Sequence, residues 1–198
     1  LGFIAYGSFA FGDALIKSFG SSLSVFEIAF FVTLFSFVPA LVVKPRGERW
    51  REAWRLRHPV LTQIRGLLGI CSMVLVTVAF TTIPLAETYA LVFLTPILVT
   101  ILSVVVLRET MTPMRWVLLA IGFAGVMLVV RPGFRALEIG HFAAIGAAIA
   151  ASFSAIILKR ISASERRVSL LGVLLVYAMV FNGIAMIPTF QMPTLYQF

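Results

Sequence analysis

Long apolar stretches alternate with short polar bends along the chain. The clearest pair covers residues 85–107 and 116–130, on either side of the charged bend RETMTPMR. A helix of about 20 apolar residues is long enough to cross the roughly 30 Å hydrocarbon layer of a bilayer. The first stretch therefore predicts one membrane crossing, and the bend predicts that the chain returns through the same layer.

The same pattern recurs through the rest of the sequence and predicts seven spans. Gly20, Ser21 and Ser22 separate the first two spans, and Pro84 separates the third and fourth with almost no loop. The predicted fold class is an all-α, polytopic transmembrane helical bundle. The predicted spans are residues 2–19, 23–43, 66–83, 85–107, 116–130, 141–158 and 168–188.

Composition agrees with this fold class. Apolar residues make up 61% of the 198 residues, charged residues make up 12%, and the mean hydropathy is +1.05. Soluble domains carry about 25% charged residues, so this chain would expose apolar surface everywhere in water. In a lipid bilayer that surface is satisfied, and helices pair the backbone internally. The lipid bilayer is therefore the first predicted partner.

The basic residues predict the orientation of the spans. Seven lie between the second and third spans, two between the fourth and fifth, and four between the sixth and seventh, all on one side. Lys17, Arg131 and Arg135 fall on the other side. The positive-inside rule makes the first side cytoplasmic. Because the net charge of +8 lies in loops between spans, it predicts topology and no nucleic-acid partner.

Cysteine and histidine give no sign of a metal or a cofactor. Cys71 is the single cysteine, so a disulfide within these 198 residues is excluded. His58 and His141 lie at span ends without partners at metal-ligand spacing, and both are predicted to be interfacial.

Ionisable residues inside spans are costly and usually face a cavity or a partner. Asp13 and Lys17 lie four residues apart on the first span, and Tyr6 falls roughly on the same face. Two interpretations stay open for Asp13: a polar strip along a substrate path, or an ion pair near the outer interface. Glu27 starts the second span, where the helix macrodipole favours a carboxylate, and that is its predicted role.

Glu87 begins a richer face of the fourth span. Tyr89, Phe93, Pro96, Thr100 and Ser103 follow along one side of the helix. This face could line a cavity beside a kink at Pro96, or its hydroxyls could bond to carbonyls of their own helix. The first interpretation is slightly favoured. Pro84, Pro96, Gly122 and Gly125 are predicted to be structural, the two glycines through close helix packing.

A weak internal repeat suggests an inverted topology. Residues 11–17 read FGDALIK and residues 153–159 read FSAIILK. Five predicted spans separate the two segments, which places Lys17 outside and Lys159 inside. Inverted repeats of this kind are common among secondary transporters.

Four segments carry a family resemblance: RGLLG at 65–69, PLAETYALVFLTPIL at 84–98, LRE at 107–109 and RWVLLAIGFAGVMLVVRPG at 115–133. They resemble EamA-domain transporters of the drug/metabolite transporter superfamily. The resemblance implies ten helices in two inverted five-helix repeats around a central cavity. Residues 1–133 would form the first repeat, and residues 140–198 the first two helices of a truncated second one. Many relatives carry an arginine where this chain has Val32.

The leading function hypothesis is a secondary transporter or exporter in a bacterial inner membrane, working by alternating access. Its substrate would be a small molecule: amino-acid-like, vitamin, nucleotide-related or drug-like. Proton coupling, through Asp13, and a homo-oligomeric state stay open. The predicted cavity residues are Tyr6, Asp13, Glu87, Tyr89, Phe93 and Thr100.

Two other function classes are weaker. A membrane-embedded lipid-modifying enzyme would need paired carboxylates or a nucleophile beside a base, and the spans offer neither. A seven-helix receptor would match the number of spans, but the basic loops would place its amino terminus inside, opposite to such receptors.

Overall fold

A computed structural model describes residues 24–43, 55–130 and 137–190, together with the isolated residue 14. Within these ranges the chain is entirely helical apart from short bends, so the prediction of an all-α fold is confirmed there. The predicted first span, with Tyr6, Asp13 and Lys17, lies outside the described residues.

Seven α-helices and one short 3-10 turn make up the described part of the fold. The third and fourth helices follow each other with a single residue between them. The helices are α1 (Val25–Val43), α2 (Pro59–Thr82), α3 (Leu85–Val92), α4 (Leu94–Leu107), α5 (Pro113–Val130), α6 (Ile139–Ile161) and α7 (Arg167–Met186), and the turn is Ile187–Thr189.

Four described segments are long and apolar enough to cross a membrane, which supports the prediction of a polytopic bundle in part. Two shorter apolar segments, Phe26–Phe37 and Pro113–Leu128, correspond to the predicted second and fifth spans. Seven crossings therefore stay a prediction. The four long segments are Pro59–Thr82, Leu85–Leu107, Ile139–Ile161 and Arg167–Thr189.

The predicted start of the third span, at residue 66, is wrong by two turns. Helix α2 begins at Pro59, the first helical position, where the missing N–H of proline costs nothing. Arg65, counted above as a loop residue, lies inside the helix and is 8% exposed. A single arginine in an apolar run predicts a helix boundary, and the prediction fails here because the side chain packs inside the bundle.

The predicted fourth span is interrupted at Phe93. Pro96 has no N–H to bond to the carbonyl of Val92, and its ring crowds that carbonyl. The helical ladder therefore fails one turn before the proline, and α3 and α4 meet at Phe93. Phe93 itself keeps a nearly helical backbone, with φ −67° and ψ −4°, so the segment continues in the same general direction.

Helix α6 is the centre of the described bundle. It packs against α2, α3 and α4, while α7 packs against α1 and α2. Ala143, Ala144, Ala147 and Ala148 are all buried on α6. Small side chains let helix backbones approach closely, which is how helices associate where water is absent.

The bends predicted to be cytoplasmic meet at one end of this bundle. Lys159, near the end of α6, forms an exposed ion pair of 2.6 Å with Glu109, which follows α4. At the same end, the ring Nε2 of His58 lies 3.0 Å from the hydroxyl of Ser164, in the bend between α6 and α7. The start of α3 and the start of α6 meet at the opposite end.

Close helix approach occurs at Gly140 and at Gly69, where an added Cβ would lie 2.5 Å from Leu174, and is looser at Gly122 and Gly125, where the sequence analysis predicts close packing. A Cβ on Gly140 would lie 2.2 Å from the hydroxyl of Thr82 and 2.8 Å from a methyl of Ile83. A Cβ on Gly125 would meet nothing within 4 Å, and one on Gly122 would lie 3.8 Å from Ile97. Helix α5 is so exposed that Val126 is the one buried position among its described side chains.

We expect Gly140→Ala to lower the free energy of unfolding by about 1–3 kcal/mol, because the added methyl overpacks the contact between α2 and α6. The matched control, Gly125→Ala, adds the same methyl into open space and should be neutral or stabilising by up to about 1 kcal/mol. Thermal unfolding in detergent measures both. Equal midpoints for the two variants would contradict the packing described here.

Candidate functional site

The break between α3 and α4 brings three aromatic rings together. The rings of Phe80 on α2 and Tyr89 on α3 lie 5.6 Å apart in an edge-to-face arrangement. The rings of Tyr89 and Phe93 lie 6.3 Å apart and are nearly parallel, at 27°. This aromatic row runs from inside the bundle to Phe93, whose residue surface is 64% exposed.

A groove of about 570 Å³ lies beside the break, between α3, α4 and α5. Of the predicted candidates, the structure brings Phe93, Pro96, Gly122 and Gly125 together here. Glu87, Tyr89 and Thr100 do not line it. The lining residues are Ala90, Phe93, Pro96, Ile97, Leu118, Leu119, Gly122, Gly125 and Val126.

The hydroxyl of Thr100 donates to the carbonyl of Pro96 at 2.7 Å. This is the alternative that the sequence analysis left open, in which a hydroxyl bonds to its own helix. The bond gives the carbonyl of Pro96 a side-chain donor in the first turn after the break. Thr100 therefore steadies α4, and its hydroxyl proton is already used.

Glu87 and His141 form a buried pair near the start of α3 and of α6. The His141 Nε2 lies 3.0 Å from a carboxylate oxygen of Glu87, and the two side chains are 6% and 8% exposed. The Nδ1 of the same ring accepts the N–H of Glu138, which caps α6. His141 lies at the start of α6, and its ring is buried inside the protein. The two residues lie 54 positions apart, so no local sequence pattern indicates that they form a pair.

Glu27 is also completely buried, at 0% exposure. Its backbone N–H donates to the hydroxyl of Ser24, which caps α1. Neither of its carboxylate oxygens has a hydrogen-bond partner. The role predicted from the helix macrodipole accounts for the position of Glu27 but leaves its two oxygens unexplained.

The other end of the bundle holds a second set of buried polar groups. Arg65 donates from Nη1 to the carbonyl of Leu170 at 2.8 Å, which ties α2 to α7. The hydroxyl of Tyr177 donates to the side-chain oxygen of Gln63, again between α2 and α7. Glu165 accepts the backbone N–H of His58 at the start of α2. These contacts hold together the helix ends that the sequence analysis predicts to be cytoplasmic.

Metal ligation finds no support in the described ranges, 24–43, 55–130 and 137–190. They hold no group of three or more His, Cys, Asp or Glu residues that could bind a metal ion.

Comparison with known proteins decides the family. Residues 1–131 match the EamA-like transporter family. The chain belongs to the EamA-like transporter family. It is a multi-pass membrane protein, and the resemblance carried by the PLAETYALVFLTPIL segment is confirmed.

Three curated relatives of this EamA-like chain are named as transporters or as a solute carrier. The S-adenosylmethionine uptake transporter of Rickettsia prowazekii (strain Madrid E) is 30% identical over 176 residues, covering 88% of the chain and 59% of the relative. Human solute carrier family 35 member G1 is 27% identical, covering 79% and 46%. The riboflavin transporter of Vibrio cholerae serotype O1 is 28% identical, covering 56% and 37%.

The EamA-like chain spans about three-fifths of the length of its first curated relatives. No solved structure matches it.

We expect His141→Ala to lower the free energy of unfolding by about 2 kcal/mol, because a buried carboxylate loses a hydrogen bond. Lys159→Ala removes the exposed partner of Glu109 and should cost less than about 1 kcal/mol. Unfolding of both variants in detergent, followed by circular dichroism, tests the difference. An equal loss for the two variants would mean that the Glu87–His141 pair contributes no more than a surface contact.

Proposed function

We propose that this EamA-like chain belongs to a secondary transporter that moves a small metabolite across a bacterial inner membrane by alternating access. The chain would supply the first five-helix repeat, residues 1–133, and part of an inverted second repeat, residues 140–198. Because it spans about three-fifths of its relatives, transport is proposed for the whole protein.

The observation that carries this proposal is the aromatic row beside the interrupted helix. Transporter sites are typically formed at discontinuous helices, where the broken ladder leaves backbone groups free to bind a substrate. In this chain the break at Phe93 leaves the carbonyl of Val92 without its helical donor, since Pro96 has no N–H. The rings of Tyr89 and Phe93 flank the same point. A planar substrate could stack on these rings while a polar group meets the free carbonyl.

The relatives suggest a substrate class. Two of them are named for S-adenosylmethionine and riboflavin. Both compounds carry fused nitrogen heterocycles, which stack well on aromatic side chains. We therefore propose a metabolite with a fused heteroaromatic ring system and a polar tail. This narrows the broader set of metabolites that the sequence alone indicated.

The orientation follows from the charges at one end of the bundle. The bends at residues 108–112 and 162–166 lie together there, linked by the Lys159–Glu109 pair and the His58–Ser164 contact. Both bends carry basic residues, and the positive-inside rule then favours a cytoplasmic location. Tyr6 and Asp13 stay predicted cavity residues, because they lie outside the described ranges.

In the full-length protein we expect Tyr89→Ala to reduce transport by about three- to tenfold, the loss expected when one aromatic stacking contact is removed. Tyr89→Phe keeps the ring and should transport as well as the wild type. Uptake of radiolabelled S-adenosylmethionine and riboflavin into proteoliposomes measures the effect.

Phe142→Ala is the matched control, because Phe142 is an aromatic residue of α6 that is 62% exposed. It should leave uptake unchanged. Wild-type rates in Tyr89→Ala would show that the aromatic row does not contact the substrate. A lack of uptake of either compound by the wild-type protein would overturn the proposed substrate class.

A further inference from the structure

The carboxylate of Glu27 is buried and has no hydrogen-bond donor beside it. The residue has 0% of its surface exposed, and neither Oε1 nor Oε2 has a hydrogen-bond partner. An ionised carboxylate removed from water is stable only with a compensating positive charge or proton. Among the residues that the structure describes, Glu27 therefore occupies a buried acidic position without a hydrogen-bond donor.

The local sequence offers Glu27 an ordinary partner, and the side chain does not take it. Ser24 and Glu27 have the spacing of a capping box, in which the two side chains would each accept the other residue's backbone N–H. Half of the box is formed, since the hydroxyl of Ser24 accepts the N–H of Glu27 at 3.2 Å. The reciprocal bond from Ser24 to the carboxylate is not made. Helix capping therefore does not explain the position of the two carboxylate oxygens.

A second unpartnered oxygen belongs to Asn182 on α7, the helix that packs against α1. The ring of Phe26, next to Glu27 on α1, lies 6.3 Å from the ring of Phe181, which is next to Asn182 on α7. Asn182 is 0% exposed, and its Oδ1 has no partner. Its Nδ2 reaches only the sulfur of Met73, at 3.9 Å. Three buried oxygens on α1 and α7, two of Glu27 and one of Asn182, thus lack hydrogen-bond donors.

The described helices that pack here place no basic group at this level. Helix α1 contains no other ionisable residue. The ionisable residues of α7 are Arg167 and Tyr177, and those of α2 are Arg65 and Cys71. Arg167 is fifteen residues from Asn182, which is roughly 22 Å along the helix, and Arg65 is eight residues, roughly 12 Å, from Met73. The arginines of these helices therefore cannot neutralise Glu27.

We propose that Glu27 is a cation-binding site of the transporter, with the Asn182 Oδ1 as a second oxygen ligand. The ligand carries one positive charge, and it is a proton, an alkali-metal ion or the cationic group of a substrate. Because both residues are closed off in this packing, exchange of the cation requires α1 and α7 to separate. The link to substrate movement rests on the proposed function, whereas cation binding itself does not.

Cation-dependent stability of the full-length protein in detergent tests the site without requiring transport. A ligand that binds the folded state raises the unfolding temperature as its concentration rises. Three titrations distinguish the sources: lowering the pH, sodium chloride against choline chloride at equal ionic strength, and S-adenosylmethionine. Each is run on the wild type, Glu27→Gln, Asn182→Ala and Glu109→Gln.

We expect one of the three titrations to raise the unfolding temperature of the wild type, and that rise to be lost in Glu27→Gln and reduced in Asn182→Ala. Glu109→Gln, which changes an exposed carboxylate, should follow the wild type. Identical responses of the wild type and Glu27→Gln in all three titrations would overturn the proposal.

The transport assay separates this proposal from the proposed function. A wild-type protein that transports neither probe, while its stability still responds to the cation through Glu27, would overturn the proposed substrate class and leave the cation site standing. A Glu27→Gln variant that matches the wild type in both uptake and cation response would remove the cation site alone.

Discussion

The absence of water inside a hydrocarbon layer is the constraint on which the rest of this structure depends. Every backbone N–H and carbonyl group in that layer must find its partner within the protein, and a helix provides all of them locally. Side-chain hydroxyls follow the same rule: Thr33 and Thr77 donate to carbonyls one turn earlier on their own helices. Ser72 instead donates to the carbonyl of Ala147 at 3.0 Å, so the same requirement also links neighbouring helices.

Because apolar side chains are equally satisfied by lipid, helix association must come from close packing and from polar contacts. Helix α6 provides the close packing through its buried alanines and through Gly140, where the absence of a side chain lets the end of α2 approach. The Glu87–His141 pair provides a polar contact at one end of the bundle, and the Lys159–Glu109 pair provides one at the other end. Polar pairs thus link the helices near both ends of the described bundle, and the small side chains of α6 pack between these ends.

The described residues contain two departures from this regular scheme, and the proposed transport function draws on both. The helix break at Phe93 forfeits a backbone hydrogen bond beside a row of aromatic rings. Glu27 keeps a carboxylate in the protein interior without a donor. Polar groups of this kind are costly within a membrane, so their presence favours a role in binding over a role in stability. In the proposed transporter, one departure would offer a surface for a flat substrate and the other a position for a positive charge.

The sequence by itself determined the helical class, most helix ends and the family, because long apolar runs in a bilayer allow few alternatives. It also indicated a disturbance at Pro96, since a missing N–H acts within one turn. Contacts between distant segments were decided only by the tertiary structure. The Glu87–His141 pair joins residues 54 positions apart, and the burial of Arg65 depends on the position of α7. Periodicity along one helix does not encode which neighbour covers each face, so the unpartnered carboxylate of Glu27 became visible only in the packed bundle.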